Sequence, residues 1–458
     1  MYFLPLTMGG VKFIVLIMNK FEAQSTSYAE SLTIPEAIRQ VTGERGQSIE
    51  HTRLQEDDVV ICYPVRSGIG NFAGAFVNTP AHEFGTAVVN ELLERTGRGD
   101  IREKVDMLIA GQVIQHGMNP ANQLKVLAGI RKEATGFTIN DACGSSLRAV
   151  LDAASLIRDR EHTGIKVAIA GGFENMSMAP SLLASNRTGY GLGGQTFTDG
   201  VLASLTDAFE KVHMGVTAER LAGLPDRPKI TRADADHYAL RSQRLAMLAW
   251  EADYFKDTVV PVDVKQGRET VSFRTDESMK GSKATMEGLA RLKPAFGVEN
   301  GIVTPGNASG ISDGAAFMIV TTAGEAEKLG LEISMRLRSS ADVGVAHELM
   351  GLGPIPSSLK ALGRAGLTMS DVGIFELNEA FANVALVCGE ALGVEPDQLN
   401  PLGGAIAHGH PIGATGGVLL TKIASDFKNN PESRFGMASL CVGGGQGISA
   451  VVENANNL

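Results

Sequence analysis

Short apolar runs alternate with amphipathic stretches over most of the chain, beginning near residue 59. The runs that predict buried strands are 59–63, 107–115, 136–140, 166–174, 317–321, 335–340 and 372–376. The periodic stretches between them predict helices at 81–96, 123–130, 231–252, 323–329, 356–365 and 379–389. Strands that alternate with helices in this way indicate an α/β fold with buried sheets. The last apolar stretch predicts a β-hairpin that turns at 443–445.

Two parts of the chain interrupt this pattern. Residues 1–55 predict a peripheral extension with one short helix at 34–41, and 175–310 predicts an insertion between two halves of the main body. The first half is then formed by 56–174 with 311–330, and the second half by 331–458. A strand-to-helix step at 137–154 resembles one at 403–424, which predicts two copies of one βα unit packed face to face.

Composition narrows the class of protein. Of the 458 residues, 44% are hydrophobic and 20% are charged, as in an ordinary soluble globular protein. The net charge of −10 argues against a nucleic-acid or anionic-membrane surface. The apolar stretch Val11–Met18 is too short to span a membrane and lacks a cleavage site. We therefore expect no membrane span and a cytoplasmic location.

Cysteine is the first residue type that suggests chemistry. The chain has four cysteines and no CxxC pair, so neither a disulfide framework nor a zinc site is expected. Cys62 and Cys388 lie in apolar runs and are expected in the core. Cys143 follows a predicted strand and opens a predicted helix, whose N-terminus would lower the pKa of the thiol. The alternative for Cys143 is a small buried residue at a tight turn.

Three more polar residues stand at glycine-rich turns or strand ends. His410 lies in NPLGGAIAHGHPIGATG, Cys441 precedes three glycines that could form an oxyanion pocket, and Asn378 lies at a strand-to-helix junction. Each has a structural alternative: a core histidine, a small residue at a hairpin, and a helix N-cap. Together with Cys143 they form a coherent set for acyl transfer, with one thiol to carry the acyl group and one to move a proton.

The motifs DACGSS, NASGISDGAA, ELNEAFA, GGAIAHGHPIGATG and CVGGGQG resemble those of the thiolase family in order and approximate spacing. The resemblance covers residue 59 to about residue 455. It implies a thiolase fold, in which two similar βα halves form a layered αβαβα core. It also implies that the inserted loop domain, 175–310, binds coenzyme A.

By motif match, the resemblance implies a role for each catalytic candidate. Cys143 would be the acylated nucleophile, His410 would take its proton, and Cys441 would be the acid/base at carbon. Asn378 would hold a water that forms one oxyanion hole with His410. The N–H groups of Cys143 and Gly443 would form the other.

The resemblance also assigns substrate-binding residues. Ser309 in NASG would contact the pantetheine arm, and His213 and Met214 in HMGVTAE would line the acyl end. Where relatives often have a serine near the adenine, this chain has Gly288, and Lys280 and Lys283 are close enough in sequence to serve the phosphates.

Several functional alternatives remain open at this point. The His213–Met214 sequence favours a short-chain, acetoacetyl-CoA type over a broad or long-chain 3-ketoacyl-CoA thiolase. An inactive scaffold subunit is the alternative of another class. A ketoacyl synthase would carry a histidine in place of Asn378. We expect acyl-CoA and CoA as substrates, no cofactor or metal, and a homodimer or homotetramer, with the 176–200 loop as a candidate tetramer contact.

Overall fold

The computed structural model describes residues 53–115, 117–183, 189, 195–225 and 229–458. The expected extension and its helix at 34–41 lie outside these ranges, apart from residues 53–55, and so does much of the 176–200 loop. The strands are β1 (Val59–Ser67), β2 (Gly70–Asn71), β3 (Met107–Gly111), β4 (Thr135–Ile139), β5 (Val167–Asn175), β6 (Ser181–Leu182), β7 (Thr198–Asp199), β8 (Val259–Val260), β9 (Val262–Gln266), β10 (Glu269–Phe273), β11 (Ser312–Thr322), β12 (Ile333–Gly344), β13 (Val372–Leu377), β14 (Phe435–Val442) and β15 (Gln446–Asn454).

Helices fill most of the connections between these strands. They are α1 (Ala81–Arg95), α2 (Pro120–Leu127), α3 (Ser145–Arg158), α4 (Arg160–Thr163), α5 (Gly200–Ser204), α6 (Met214–Leu221), α7 (Arg232–Glu251), α8 (Met286–Ala290), α9 (Ala323–Leu329), α10 (Pro354–Ala365), α11 (Ala382–Leu392), α12 (Ala405–His408) and α13 (Thr415–Asn429). Short 3-10 helices occur at Ile101–Glu103, Gly281–Lys283, His347–Leu352, Met369–Asp371, Ile412–Ala414 and Ala455–Asn457.

The main sheet shows the expected duplication. Its principal strands run in the order β13-β14-β15-β12-β1-β11-β5-β3-β4. Read from the outer edge of the sheet inward, each half has the same strand order: its third strand in sequence comes first, followed by the second, the fourth, the fifth and the first. In the second half, the third strand is reduced to a parallel bridge between Phe375 and Leu399. The two halves join where β1 pairs antiparallel with β12.

Three clusters of buried side chains define the layers. One packs α1 and α2 on the first half of the sheet, and another packs α10 and α11 on the second half. The third cluster places α3 and α13 between the two halves. There the N–H of Gly417 donates to Ser146 Oγ at 2.9 Å. This is the layered αβαβα thiolase fold expected from the motifs, and the resembling segments at 137–154 and 403–424 supply its two central helices.

Two predicted helices begin three residues away from their predicted starts. Helix α2 starts at Pro120 rather than at 123, because Asn119 caps it by accepting from the N–H of Asn122 and proline suits the first helical position. Helix α11 starts at Ala382 rather than at 379, because Glu379 is a buried hydrogen-bond acceptor before the helix. Among the described residues, no helix is long and apolar enough to cross a membrane.

Candidate active site

Cys143 lies in the turn between β4 and α3. Ala142 before it has a left-handed backbone with φ of 42°. The Ser145 hydroxyl closes the turn by accepting from the N–H of Asp141 at 2.9 Å and donating to the carbonyl of Ala142 at 2.6 Å. The side chain of Cys143 is partly buried, and the N–H of Gly443 lies close enough to its sulfur to stabilise a thiolate. The turn therefore presents the thiol to the glycine loop of the C-terminal hairpin.

Burial raises the pKa of the Cys143 thiol to about 11. The N–H groups of Gly443 and of Cys143 itself act in the opposite direction, since they stabilise a thiolate, but burial outweighs them. The sequence expectation of a lowered pKa is therefore wrong for this structure. The resting group is a thiol, and it needs a base to become a nucleophile.

Cys441 lies near the end of β14 and is fully buried. Burial raises the pKa of its thiol well above the usual value, and the neighbouring sulfurs of Cys143 and Cys388 add to the effect. Beyond it, β14 and β15 form the expected hairpin around 443–445. A Cβ placed on Gly443 would lie 3.4 Å from the sulfur of Met214 and 3.9 Å from Ala142 Cβ. One small region therefore contains both thiols and the glycine N–H.

His410 follows α12 and is held at both its backbone and its ring. Its N–H donates to Ser312 Oγ at 3.2 Å, and its Nδ1 lies 2.6 Å from Thr415 Oγ1. Burial lowers the pKa of the imidazole to about 4, so the ring is neutral near pH 7. Its Nε2 lies 3.4 Å from Asn378 Nδ2. With Nδ1–H donating to Thr415, Nε2 is the acceptor nitrogen, whose lone pair faces the Asn378 amide at rest and can take a proton.

Asn378 follows β13 and is fully buried, and its N–H donates to the carbonyl of Ser439 at 2.9 Å. Its Oδ1 has no hydrogen-bond partner within the described part of the chain. Phe381 is the N-cap of α11, so Asn378 is not the helix cap of the structural alternative. A buried amide oxygen without a partner is costly, which indicates that it serves a small polar molecule.

The expected substrate-binding residues form a continuous chain of contacts. Ser309 donates through its N–H and Oγ to the carbonyl of Ala380, at 3.0 and 3.1 Å. The His213 ring stacks on Phe296 with centroids 4.5 Å apart, and Phe296 meets Phe381 edge to face. His213 also caps α6, because its Nδ1 accepts from the N–H of Gly215. Burial lowers the pKa of this histidine, so its ring lines the pocket in the neutral form.

Comparison with known proteins identifies the family. The sequence profile described as Thiolase, N-terminal domain matches residues 59–324, and that described as Thiolase, C-terminal domain matches residues 331–454. The chain belongs to the thiolase family. The resemblance found in the motifs is thereby confirmed.

Individual relatives agree with this assignment. An acetyl-CoA acetyltransferase of Rhizobium meliloti is 42% identical over 404 residues, which are 87% of this chain and 100% of that protein. The structure of the Bacillus anthracis acetyl-CoA acetyltransferase matches with a TM-score of 0.82 and 36% identity, over 87% of this chain and 98% of that chain. Human mitochondrial 3-ketoacyl-CoA thiolase matches with a TM-score of 0.81 and 31% identity, over 87% and 100%. This thiolase is an acyltransferase enzyme.

Two buried carboxylates without a predicted role, Glu379 of the ELNEAFA motif and Glu174, hold the loops of the thiolase site. Glu379 accepts hydrogen bonds from two helix α7 side chains, a loop amide and a backbone N–H. These donors are Tyr238 Oη at 2.9 Å, Ser242 Oγ at 2.6 Å, Asn400 Nδ2 at 2.9 Å and the N–H of Ile406 at 3.2 Å. The carboxylate therefore fixes the start of the segment that carries His410.

Glu174 does the same for the loop after that histidine. It accepts from the N–H groups of Val113, Ile114 and Gly413 at 2.9, 3.0 and 3.0 Å. Burial raises its pKa to about 7, although these N–H groups act to lower it. The sequence signal was a glutamate within a fully buried strand, β5. Such a residue needs backbone or charged partners.

Proposed function

We propose that this thiolase cleaves 3-ketoacyl-CoA with free CoA, or in reverse condenses two acetyl-CoA molecules, by a ping-pong reaction through an acyl group on Cys143. The supporting observation is the grouping of two thiols with a backbone donor: the N–H of Gly443 lies close enough to the Cys143 sulfur to stabilise a thiolate, and Cys441 lies within electrostatic reach of Cys143. One thiol can carry an acyl group while the other moves a proton, as carbon–carbon cleavage requires.

In the first step of thiolysis, His410 accepts the proton of Cys143 and the sulfur attacks the 3-keto carbon. The pKa values of about 4 and about 11 make a free thiolate costly. Proton transfer is therefore coupled to the attack, in which negative charge leaves the sulfur for the carbonyl oxygen. The N–H groups of Cys143 and Gly443 stabilise that oxygen.

In the second step, the bond between C2 and C3 breaks and its electron pair moves to C2. The product is the enolate of acetyl-CoA, whose thioester oxygen faces His410 and a water on Asn378. Cys441 donates its proton to C2, and acetyl-CoA leaves with the acyl group still on Cys143. None of these steps requires an external oxidant or reductant, so the proposed cycle needs no redox cofactor.

In the third step, the thiol of free CoA attacks the acyl carbon and its proton passes to the Cys441 thiolate. The new acyl-CoA leaves, and the Cys143 sulfur recovers its proton from His410. Both thiols and the histidine return to their starting states. Condensation follows the same steps in reverse, with Cys441 as the base that deprotonates the acetyl-CoA methyl group.

The inserted segment supplies the substrate contacts in this proposal. Ser309 meets the pantetheine arm beside the Ala380 carbonyl, while His213 and Met214 bound the acyl end. The Met214 sulfur lies close to Gly443, where it narrows the space next to the reacting carbon. We therefore favour short substrates such as acetoacetyl-CoA. The similarity to two acetyl-CoA acetyltransferases, at 42% and 36% identity, supports this choice.

A broader 3-ketoacyl-CoA thiolase is the second candidate. The observation in its favour is the match to human mitochondrial 3-ketoacyl-CoA thiolase over 87% of this chain, with a TM-score of 0.81. The two candidates share every chemical step and differ only in the acyl chain that the pocket accepts. They are separated by a substrate series, not by a change in mechanism.

The test is thiolysis of 3-ketoacyl-CoA substrates from four to sixteen carbons. We expect kcat/KM to be highest for acetoacetyl-CoA and to fall at least about tenfold for longer chains. Cys143→Ala should abolish turnover and acylation by acetyl-CoA. Cys441→Ala should still take an acetyl group, seen as exchange of labelled CoA into acetyl-CoA, because that exchange can pass its proton through His410 alone. It should lose thiolysis, because cleavage requires the Cys441 proton at C2.

Cys62→Ala is the matched control, since Cys62 is a core cysteine of β1. This variant should keep both activities within about twofold. A flat or long-chain profile moves the protein to the broader class. Failure of the wild-type protein to cleave any substrate, or equal loss of both reactions in Cys441→Ala, contradicts the proposed chemistry.

A further inference from the structure

Three potential metal ligands meet outside the catalytic groups. They are Asp207 and Glu210, in the loop between α5 and α6, and His347, which begins a 3-10 helix of the second half. Each residue offers one potential ligand atom, and these three atoms lie within 4.8 Å of one another. The three residues come from segments about 140 positions apart in the chain, so only the fold brings them together.

Asp207 gives this cluster an unusual feature. Its side chain is fully buried, and Oδ1 accepts from the N–H groups of Phe209 and Glu210 at 2.9 and 2.7 Å. Its Oδ2 forms no hydrogen bond of normal geometry and faces His347 Nδ1 at 3.4 Å as an ion-pair partner, and that buried nitrogen likewise forms no hydrogen bond. This contact leaves both atoms incompletely satisfied, and its length suits two ligands of one metal ion, which points to a bound species between them.

We propose that Asp207 Oδ2, His347 Nδ1 and a carboxylate oxygen of Glu210 bind a divalent transition-metal cation of the zinc class. Zinc lies roughly 2.0–2.2 Å from such oxygen and nitrogen atoms. Two ligands 3.4 Å apart then subtend an angle of about 110° at the metal, close to the tetrahedral value. A water completes the coordination on the exposed side.

The charges around the cluster suit a divalent cation. Asp207, Glu210 and Glu348 are acidic, and Glu348 Oε2 lies 3.5 Å from His347 Nε2, where it can orient the ring. Arg220 pairs with both oxygens of Glu210, at 2.6 and 3.2 Å, and removes part of the negative charge.

The cation site links two walls of the acyl pocket. The loop that begins at Asp207 returns to α6, where the N–H of Met214 donates to the carbonyl of Leu205 at 2.8 Å. His347 lies against the glycine turn, since a Cβ on Gly445 would lie 2.7 Å from its Cα. A bound cation therefore fixes the Met214 wall against the turn that carries Gly443. It has a structural role and takes no part in the reaction steps.

The experiment is a Zn²⁺ titration of the full-length protein after treatment with EDTA, in competition with a chromophoric chelator. We expect the wild type to bind one more Zn²⁺ per chain than His347→Ala. The active-site thiols contribute equally to both proteins, so they cancel in the difference. The extra ion should also raise the thermal midpoint of the wild type by at least about 2 °C relative to the variant.

His162→Ala is the matched control. His162 is exposed and its Nδ1 lies 2.6 Å from Asp159, but among the described residues no third potential ligand joins that pair in a metal-binding cluster. This variant should bind as many ions as the wild type. Glu210→Gln, at an exposed position, should weaken binding about tenfold or more. Equal stoichiometry in wild type and His347→Ala, or no extra ion in the wild type at micromolar Zn²⁺, overturns the site.

Discussion

At the scale of single residues, burial controls the chemistry of the reacting groups. It raises the pKa of both thiols and lowers that of His410, so all three are neutral at rest. The neutral state suits a reaction cycle in which a thiol loses its proton only as negative charge develops on the substrate carbonyl oxygen. It also means that acid disturbs the folded protein through the histidine.

We expect His410 to contribute to acid sensitivity. Its pKa is about 4 in the folded protein and about 6.5 in an unfolded chain, so the unfolded state binds the proton first. The contribution to stability is complete above pH 6.5 and is lost as the pH falls toward 4. The loss from this residue is about 2 kcal/mol at pH 5.

Urea unfolding of wild type and His410→Asn at pH 7.5 and pH 5.0 measures this contribution. The variant should lose less stability on acidification than the wild type by about that amount. His408 is also buried with a lowered pKa, so the variant keeps some acid sensitivity. The exposed-site variant His162→Asn should behave like the wild type. An equal acid loss in His410→Asn and wild type contradicts the assignment.

At the scale of elements, the segment around α12 is positioned by buried polar contacts rather than by its own helix. The Glu379 carboxylate accepts from the N–H of Ile406 near the start of this segment. The Asp276 carboxylate lies 2.8 Å from His408 Nδ1 and also forms an ion pair with Arg66 of β1. The helix itself is a single turn. Such a short element has little stability alone, so its external contacts determine where His410 lies.

Gly404→Ala tests this dependence. A Cβ at Gly404 would lie 2.0 Å from the carboxyl carbon of Glu379, while the backbone there is ordinary extended chain. We expect a loss of about 1–3 kcal/mol in stability and a fall of about 100-fold in kcat/KM, because the loop must shift away from the carboxylate. Thermal unfolding and steady-state thiolysis measure the two effects.

Gly99→Ala is the control, since a Cβ at Gly99 would meet nothing within 4 Å. It should change neither quantity by more than about 0.5 kcal/mol or twofold. If Gly404→Ala behaves like this control, Glu379 is not what positions the loop.

At the scale of the whole molecule, β4 ends the large sheet, and no strand of the described residues pairs with its outer edge. Phe137 of this strand is 38% exposed, and beside it Met118, Val126 and Leu127 around α2 are exposed as well. An uncovered edge strand flanked by apolar side chains favours association with another chain. We propose that two copies of this thiolase pair here, while a further step to a tetramer stays a prediction from the family resemblance.

Phe137→Lys should therefore weaken the assembly. The added charge opposes burial of the edge, so light scattering after size exclusion should show a smaller mass than for the wild type. Val271→Lys is the control, because Val271 is 36% exposed on β10, away from this edge. A monomeric wild type, or the same mass for wild type and Phe137→Lys, contradicts the proposed interface.

Local signals in the sequence determined much of the fold. Helix α9 occupies the predicted 323–329, and α7 starts at the predicted position because Thr231 caps it by accepting from the N–H of Asp234. The C-terminal hairpin turns at the predicted glycines. These elements follow from neighbours in sequence: hydrophobic periodicity, capping side chains and glycine at the turn. The motifs likewise selected the eight candidate site residues, whose roles stay predictions until the variants are measured.

Tertiary structure alone decided the remaining properties. The start of α11, the contacts of His410 with Asn378 and Ser312, and the raised pKa of Cys143 depend on groups far away in the chain. The cluster of Asp207, Glu210 and His347 also has no local signature, since it arises where two distant segments cross. Desolvation and hydrogen bonding depend on which atoms surround a group in space. A sequence pattern shows which groups are present, but the packing determines their charge and their partners.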